Sequence, residues 1–121
     1  MAVQTEFTDH VMDLLAQVPG LGKRGMFGGV GISAGAVQFA IITGDTLYFV
    51  VDDVTRPRYE EMGSTCFSYQ TRKRKVEVRR YYEVPAEVLD DQDLLLELAE
   101  ESAVVAARTA SVKKKSNRTS R

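Results

Sequence analysis

Two very short separators constrain this chain more than any other feature. Ala34-Gly35-Ala36 and Gly44-Asp45 interrupt strand-like runs at Gly25 to Ser33, Val37 to Thr43 and Thr46 to Asp52. Glycine-containing connections of this length suit tight hairpins and leave no room for a crossover helix. The three runs therefore predict an antiparallel meander. Phe39 and Ile41 alternate with Gln38 and Ala40, the period of a sheet with one well-buried face. Leu47-Tyr48-Phe49-Val50-Val51 is apolar on both sides of the pleat, so its strand is expected to be central. A helix or a second copy of the chain must cover its other face, and the second option implies a homodimer.

The flanking segments are helical in pattern. Phe7, Val11, Leu14, Leu15 and Val18 recur at helical spacing, with Thr5 as N-cap and Glu6 in the first turn, and Pro19-Gly20-Leu21-Gly22 ends that helix. Thr55 to Met62 reads as a short helix capped by Thr55, with proline in its first turn and Gly63 as its stop. Cys66 to Tyr69 and Lys75 to Tyr82 are two further strands. Pro85 to Leu89 makes one helical turn. Asp90, Asp91 and Asp93 then open a final helix, whose stripe is Leu94, Leu95, Leu98, Ala99, Val105 and Ala106. The prediction is an α+β, two-layer fold: a mainly antiparallel sheet of about five strands with an N-terminal helix, a short middle helix and a C-terminal helix. Residues 1–107 form the domain, and 108–121 a basic, disordered tail.

A length of 121 residues fits one core. No apolar run is long enough to span a bilayer and no secretory leader opens the chain, so a cytoplasmic, membrane-free protein is expected. The net charge of −1 conceals segregation. Residues 83–107 hold eight acids and no Lys or Arg, 72–80 hold six bases and one acid, and 108–121 carry six bases and no acid. Without the tail, ten bases face seventeen acids, a formal −7. Such a body repels a phosphate backbone, so nucleic-acid contact would have to be local, through the basic strand or the tail.

Few residues suggest chemistry. The glycines of Gly28-Gly29-Val30-Gly31, with Lys23 and Arg24 at their entrance, offer an anion site. They continue into Ile32-Ser33 rather than opening a helix, as a phosphate loop would, so a bulged or closely packed strand, crowded by the first helix, is the plainer reading. Asp52-Asp53 marks a turn before a helix rather than a metal site. His10 falls on a solvated helix face without a nucleophile beside it, and Cys66 is a small apolar filler. Neither metal nor cofactor is expected. Arg72, Lys73, Arg74 and Lys75, with Arg79, Arg80, Tyr81 and Tyr82, can contact phosphates and stack on bases, or can simply be a solvated hairpin that resists edge aggregation. Tyr81 and Tyr82 point to opposite faces, so one belongs to the core. The lysines at 113–115 can tether the chain to nucleic acid or an acidic partner.

Several motifs occur in a fixed order: Met26-Phe27-Gly28-Gly29-Val30-Gly31, Leu47-Tyr48-Phe49-Val50-Val51-Asp52, the spacing of Gly63, Phe67 and Tyr69, and Tyr81-Tyr82-Glu83-Val84-Pro85 before a leucine helix. Together they resemble the N-terminal domain of the TfoX/Sxy family of bacterial competence regulators, over about residues 7–107. The resemblance implies a non-enzymatic regulatory or adaptor domain that works by protein–protein contact near DNA. Relatives act with a cyclic-AMP receptor protein at competence promoters. No catalytic residues come with the match. Full-length regulators carry a second domain where this chain has its basic tail. Gly25 replaces the basic residue that often precedes the signature, and Thr71-Arg72-Lys73-Arg74-Lys75 replaces a Lys-Gly-Lys-like turn. The alternative is a small-molecule or anion sensor built on the glycine-rich strand.

Overall fold

The computed structural model describes residues 5–26 and 29–119, with side-chain surroundings for 6–25 and 29–109. The chain runs α1 (Thr5–Leu14), β1 (Leu21–Met26), β2 (Gly29–Ala34), β3 (Val37–Thr43), β4 (Thr46–Val50), α2 (Arg56–Glu61), β5 (Cys66–Gln70), β6 (Lys75–Glu83), α3 (Ala86–Leu89) and α4 (Gln92–Thr119). The strands form one antiparallel sheet in the order β1-β2-β3-β4-β6-β5. The α+β class and the meander stand as read from the sequence. Gly35 and Gly44, both at positive φ, sit in the two turns where left-handed backbone is needed.

The sheet has six strands, one more than expected. The run from Gly25 to Ser33 is two antiparallel strands rather than one, and Leu21-Gly22 belongs to the first of them instead of to the turn. Lys23 and Arg24 had masked the alternation of β1, whose Leu21 packs on the core. Helix α1 begins at Thr5 and ends at Leu14, short of Val18. A turn carries the chain on, and Val11, Leu15 and Val18 are still buried. Helix α4 continues as helical backbone to Thr119, past the point where the sequence reading places a disordered tail. Between Asp90 and Thr119 there is no glycine or proline to stop it, and Ala, Arg and Lys propagate helix well.

All helices lie on one face of the sheet. Val30, Ile32, Ala40, Ile42, Leu47, Phe49 and Tyr82 share that face by register and are buried beneath them. Helix α4 crosses β3 and β4, placing Leu95, Leu98, Ala99, Val105 and Ala106 in the same core. It covers one face of the doubly apolar β4; among the described residues no helix covers the other, where a helix or a second copy was expected. A bulge beside Ile32 leaves Phe39 without a partner on β2 and turns it into the core, 5.9 Å from the Phe49 ring. The β3–β4 ladder stops at Ala40–Phe49, and beyond it the buried Ser102 hydroxyl lies 2.9 Å from the Phe39 carbonyl and 2.8 Å from that of Val50. One hydroxyl proton thus serves two carbonyls, tying α4 to both strands.

Gly29 shows why a side chain is excluded from the glycine-rich strand. A Cβ there would collide with the carbonyl oxygen of Ile42 on β3. The crowding neighbour is the adjacent strand, not the first helix as expected. Gly28 lies outside the described residues.

Candidate binding face

Among the described residues, no helix lies on the second face of the sheet. Register places Arg24, Gly31, Ile41, Tyr48 and Glu83 in one row across β1, β2, β3, β4 and β6, on the side opposite the helices. A neighbouring row brings in Gln38 and Tyr81. Gln38 Nε2 donates to Tyr81 Oη at 3.1 Å, spanning β4. Phe67 and Tyr69 extend this face onto β5. The Phe67 ring meets Tyr48 edge-on at 5.1 Å and lies 6.1 Å from Tyr69. Burial raises the Tyr48 phenol above its ordinary pKa, helped by the Glu83 carboxylate beside it and opposed by a hydrogen bond with Thr43.

Side chains of β5 share a recess with residues of β2 and β3. Gly29, Val30, Ile41, Ile42, Thr43, Phe67 and Tyr69 line a recess of about 500 Å³. The volume suits a drug-sized ligand or a few side chains of another protein. Tyr69 stands at its rim, 48% exposed. The surface is apolar and aromatic with hydroxyls at its margin, a composition that favours binding over proton transfer.

The residues singled out in the sequence fall elsewhere, and the structure divides them. Arg72, Lys73, Arg74 and Lys75 surround the exposed tip of the β5–β6 hairpin. The Thr71 hydroxyl donates to the Arg74 carbonyl at 2.9 Å and accepts from the N–H groups of Lys73 and Arg74. Arg79 and Arg80 are some 13–17 Å further along β6, at about 3.3 Å per residue. There Arg79 lies 3.7 Å from Glu60, while the half-buried Arg80 has its Nε without a partner among the described residues. Arg56, 2.7 Å from Asp53, and Arg108, 3.6 Å from Asp52, complete a neighbourhood of mixed sign. The six bases are therefore two sites, and acids accompany the inner one.

Lys23 and Arg24 are also parted. Lys23 shares the helix-side row with Ile32 and is 3.8 Å from Asp9, whereas Arg24 faces the open side. Asp52 is a cap: its carboxylate accepts from the N–H groups of Val54 and Thr55 at 3.0 and 2.9 Å. Thr55, expected to cap α2, instead accepts from the Asp52 N–H. Hydrogen bonding, chiefly from Thr55, holds Asp52 below the usual carboxylate range. Tyr82 is the tyrosine that joins the core, its hydroxyl donating to Glu60 at 2.9 Å. His10 is exposed and Cys66 half-buried. Among the described residues, no cluster of His, Cys, Asp and Glu is placed to hold a metal ion, and no helix is long and apolar enough to cross a membrane.

The open face is not legible in the sequence because each of its residues looks ordinary alone. Its signal was present in Phe67 and Tyr69, two apart and alternating with Cys66, Ser68 and Gln70. A glycine-rich strand followed by aromatics at strand period, on a sheet with few helices to cover it, marks a bare face.

The family model of the TfoX N-terminal domain matches residues 13–106, from the end of α1 through the buried part of α4. The chain belongs to that family. The match spans both the helix-covered core and the open face, including every strand described above. A comparison with curated proteins returned no match.

Proposed function

We propose that this TfoX N-terminal domain is a cytoplasmic, non-enzymatic regulatory module of bacterial competence that acts by contact with another protein through its open sheet face. The observation that carries the reading is the aromatic surface of Tyr48, Phe67 and Tyr69, left without a helix above it. Apolar surface of this kind is what protein partners cover. The family supplies the setting: its regulators resemble co-regulators that work beside a cyclic-AMP receptor protein. The acidic body confines nucleic-acid contact to the Arg72 to Lys75 tip or the basic end of α4.

The test is a nitrogen-15 titration with cyclic-AMP receptor protein and, separately, with duplex DNA. Shifts at Tyr48, Phe67 and Tyr69 that vanish in Tyr69→Ala are expected with the protein. Shifts confined to the hairpin tip, or none at a hundred micromolar, overturn the reading.

The recess itself favours a second reading, a small-molecule sensor. Lys23 is drawn toward Asp9 on the helix side and Arg24, though on the open face, does not line the recess, so its ligand would be an apolar or aromatic group rather than an anion. Saturable shifts at Ile41 and Thr43 from a fragment library, without effect from the protein partner, would favour it.

A further inference from the structure

The two edges of the sheet are not alike. The β1 edge bears Lys23 and Arg24, charges of the kind that discourage pairing with another strand. The β5 edge reads Cys66-Phe67-Ser68-Tyr69-Gln70, without charge or proline.

Hydrogen bonding tells which backbone groups β5 leaves free. The Glu83 N–H donates to the Thr65 carbonyl at 3.0 Å, and the Thr71 N–H to the Arg74 carbonyl at 2.8 Å. In an antiparallel ladder each residue turns its N–H and C=O to one side, and the side alternates. Thr65, Phe67, Tyr69 and Thr71 therefore address β6, while Cys66, Ser68 and Gln70 address the outside. The register irregularity does not upset this, because its unpaired residues, Arg79 to Tyr81, lie in β6.

We propose that the β5 edge pairs with the same edge of a second copy of this chain, antiparallel about a two-fold axis at Ser68. That register sets Ser68 against Ser68 of the second copy and Cys66 against its Gln70. Each outward-facing pair then exchanges two backbone hydrogen bonds. Phe67 stands directly opposite Tyr69 of the second copy on the open face, in the closer, non-hydrogen-bonded kind of pair that favours aromatic contact. Charge favours the same arrangement. The basic tip at Arg72 to Lys75 passes the other copy's turn at Met62 to Ser64, beside the exposed Glu60 and Glu61. The two basic tips lie at opposite ends of the joined strands, so they do not repel at the axis. An isologous pairing of this kind closes on itself and consumes the edge, whereas β5 on β1 would continue into a filament. The inference is independent of the partner proposed above.

Thiol cross-linking tests the register. Gln70→Cys places a thiol opposite the native Cys66 of the other copy at a Cα separation of ~5.5 Å, within disulfide range. The same two positions in one chain are ~13 Å apart and cannot bridge. Under oxidised glutathione, Gln70→Cys is expected to form covalent dimer at least tenfold faster than the parent chain or than Cys66→Ser combined with Gln70→Cys. Equal rates in all three overturn the proposal. Ser68→Pro supplies the second arm, since it deletes an outward N–H and spares the ladder to β6. Sedimentation equilibrium is expected to show the parent dimerising and Ser68→Pro at least tenfold weaker, with an unchanged circular dichroism spectrum. A parent chain that is monomeric at millimolar concentration, or a folded Ser68→Pro that dimerises as well as the parent, also overturns it.

Discussion

Tyr48 and Phe49 are neighbours on β4 and face opposite sides of the sheet. Phe49 is fully buried with Phe39 and Leu98, whereas Tyr48 is half-buried and touches Phe67, with solvent beyond. The two side chains are similar in size and shape, so their own chemistry does not explain the difference. Where the long apolar stripe of α4 could lie does. The stripe covers one face of β3 and β4, and among the described residues no comparable element covers the other. An apolar residue is core only if another element is available to bury it.

The comparison can be broken most forcefully on the covered side. Phe49→Ala is expected to cost about 3–5 kcal/mol, because it opens a cavity under α4 that the sheet cannot collapse into, and urea denaturation measures this directly. Ser102→Ala is expected to cost roughly 1–3 kcal/mol, since two buried carbonyls lose their shared donor. A high-pH series sharpens the contrast without cavities. Burial raises the phenol of Tyr59, which packs against Tyr82 on the covered side, well above its ordinary range, and raises Tyr48 in the same direction on the open side. A group with a raised folded-state pKa stabilises the fold below the unfolded value, and that contribution is lost as pH climbs through the folded value. Stability should therefore fall from about pH 10 upward. Tyr59→Phe is expected to flatten that fall more than Tyr48→Phe does. At neutral pH, Tyr59→Phe should be tolerated or mildly stabilising, because its hydroxyl is buried without a partner among the described residues. The smallest effect belongs to the open rim: Tyr69→Ala should change unfolding free energy by about 0.5 kcal/mol or less while abolishing partner binding.

The meander was legible because the chain spells it out in hairpin turns and alternating residues, and the final helix because its leucines recur with helical period. The lost strand β1 shows where such reading stops. Leu21-Gly22-Lys23-Arg24-Gly25-Met26 has little apolar content and two glycines, and it is a strand because β2 offers a ladder to it. The basic run from Arg72 to Arg80 was legible as charge but not as a site. Its second half lies beside Glu60, Asp52 and Asp53, acids separated from it in sequence and joined to it by the β4–β6 pairing. Position in three dimensions decides whether a charge is free or answered, and strand order lies beyond the reach of local pattern. The open face failed to show for the same reason: Phe67 reaches Tyr48 only because β6 lies between their strands.

That strand order has a mechanical consequence. Strands β1 to β4 form by successive hairpins, as do β5 and β6, and each set can zip up locally. The seam between them is the pairing of Tyr48 with Glu83, Phe49 with Tyr82 and Val50 with Tyr81, and its closure must bring together segments about thirty residues apart. The sheet is thus two plates joined along a short weld. When the molecule breathes, it should part along that line, and amide protons there should exchange ahead of those in the meander.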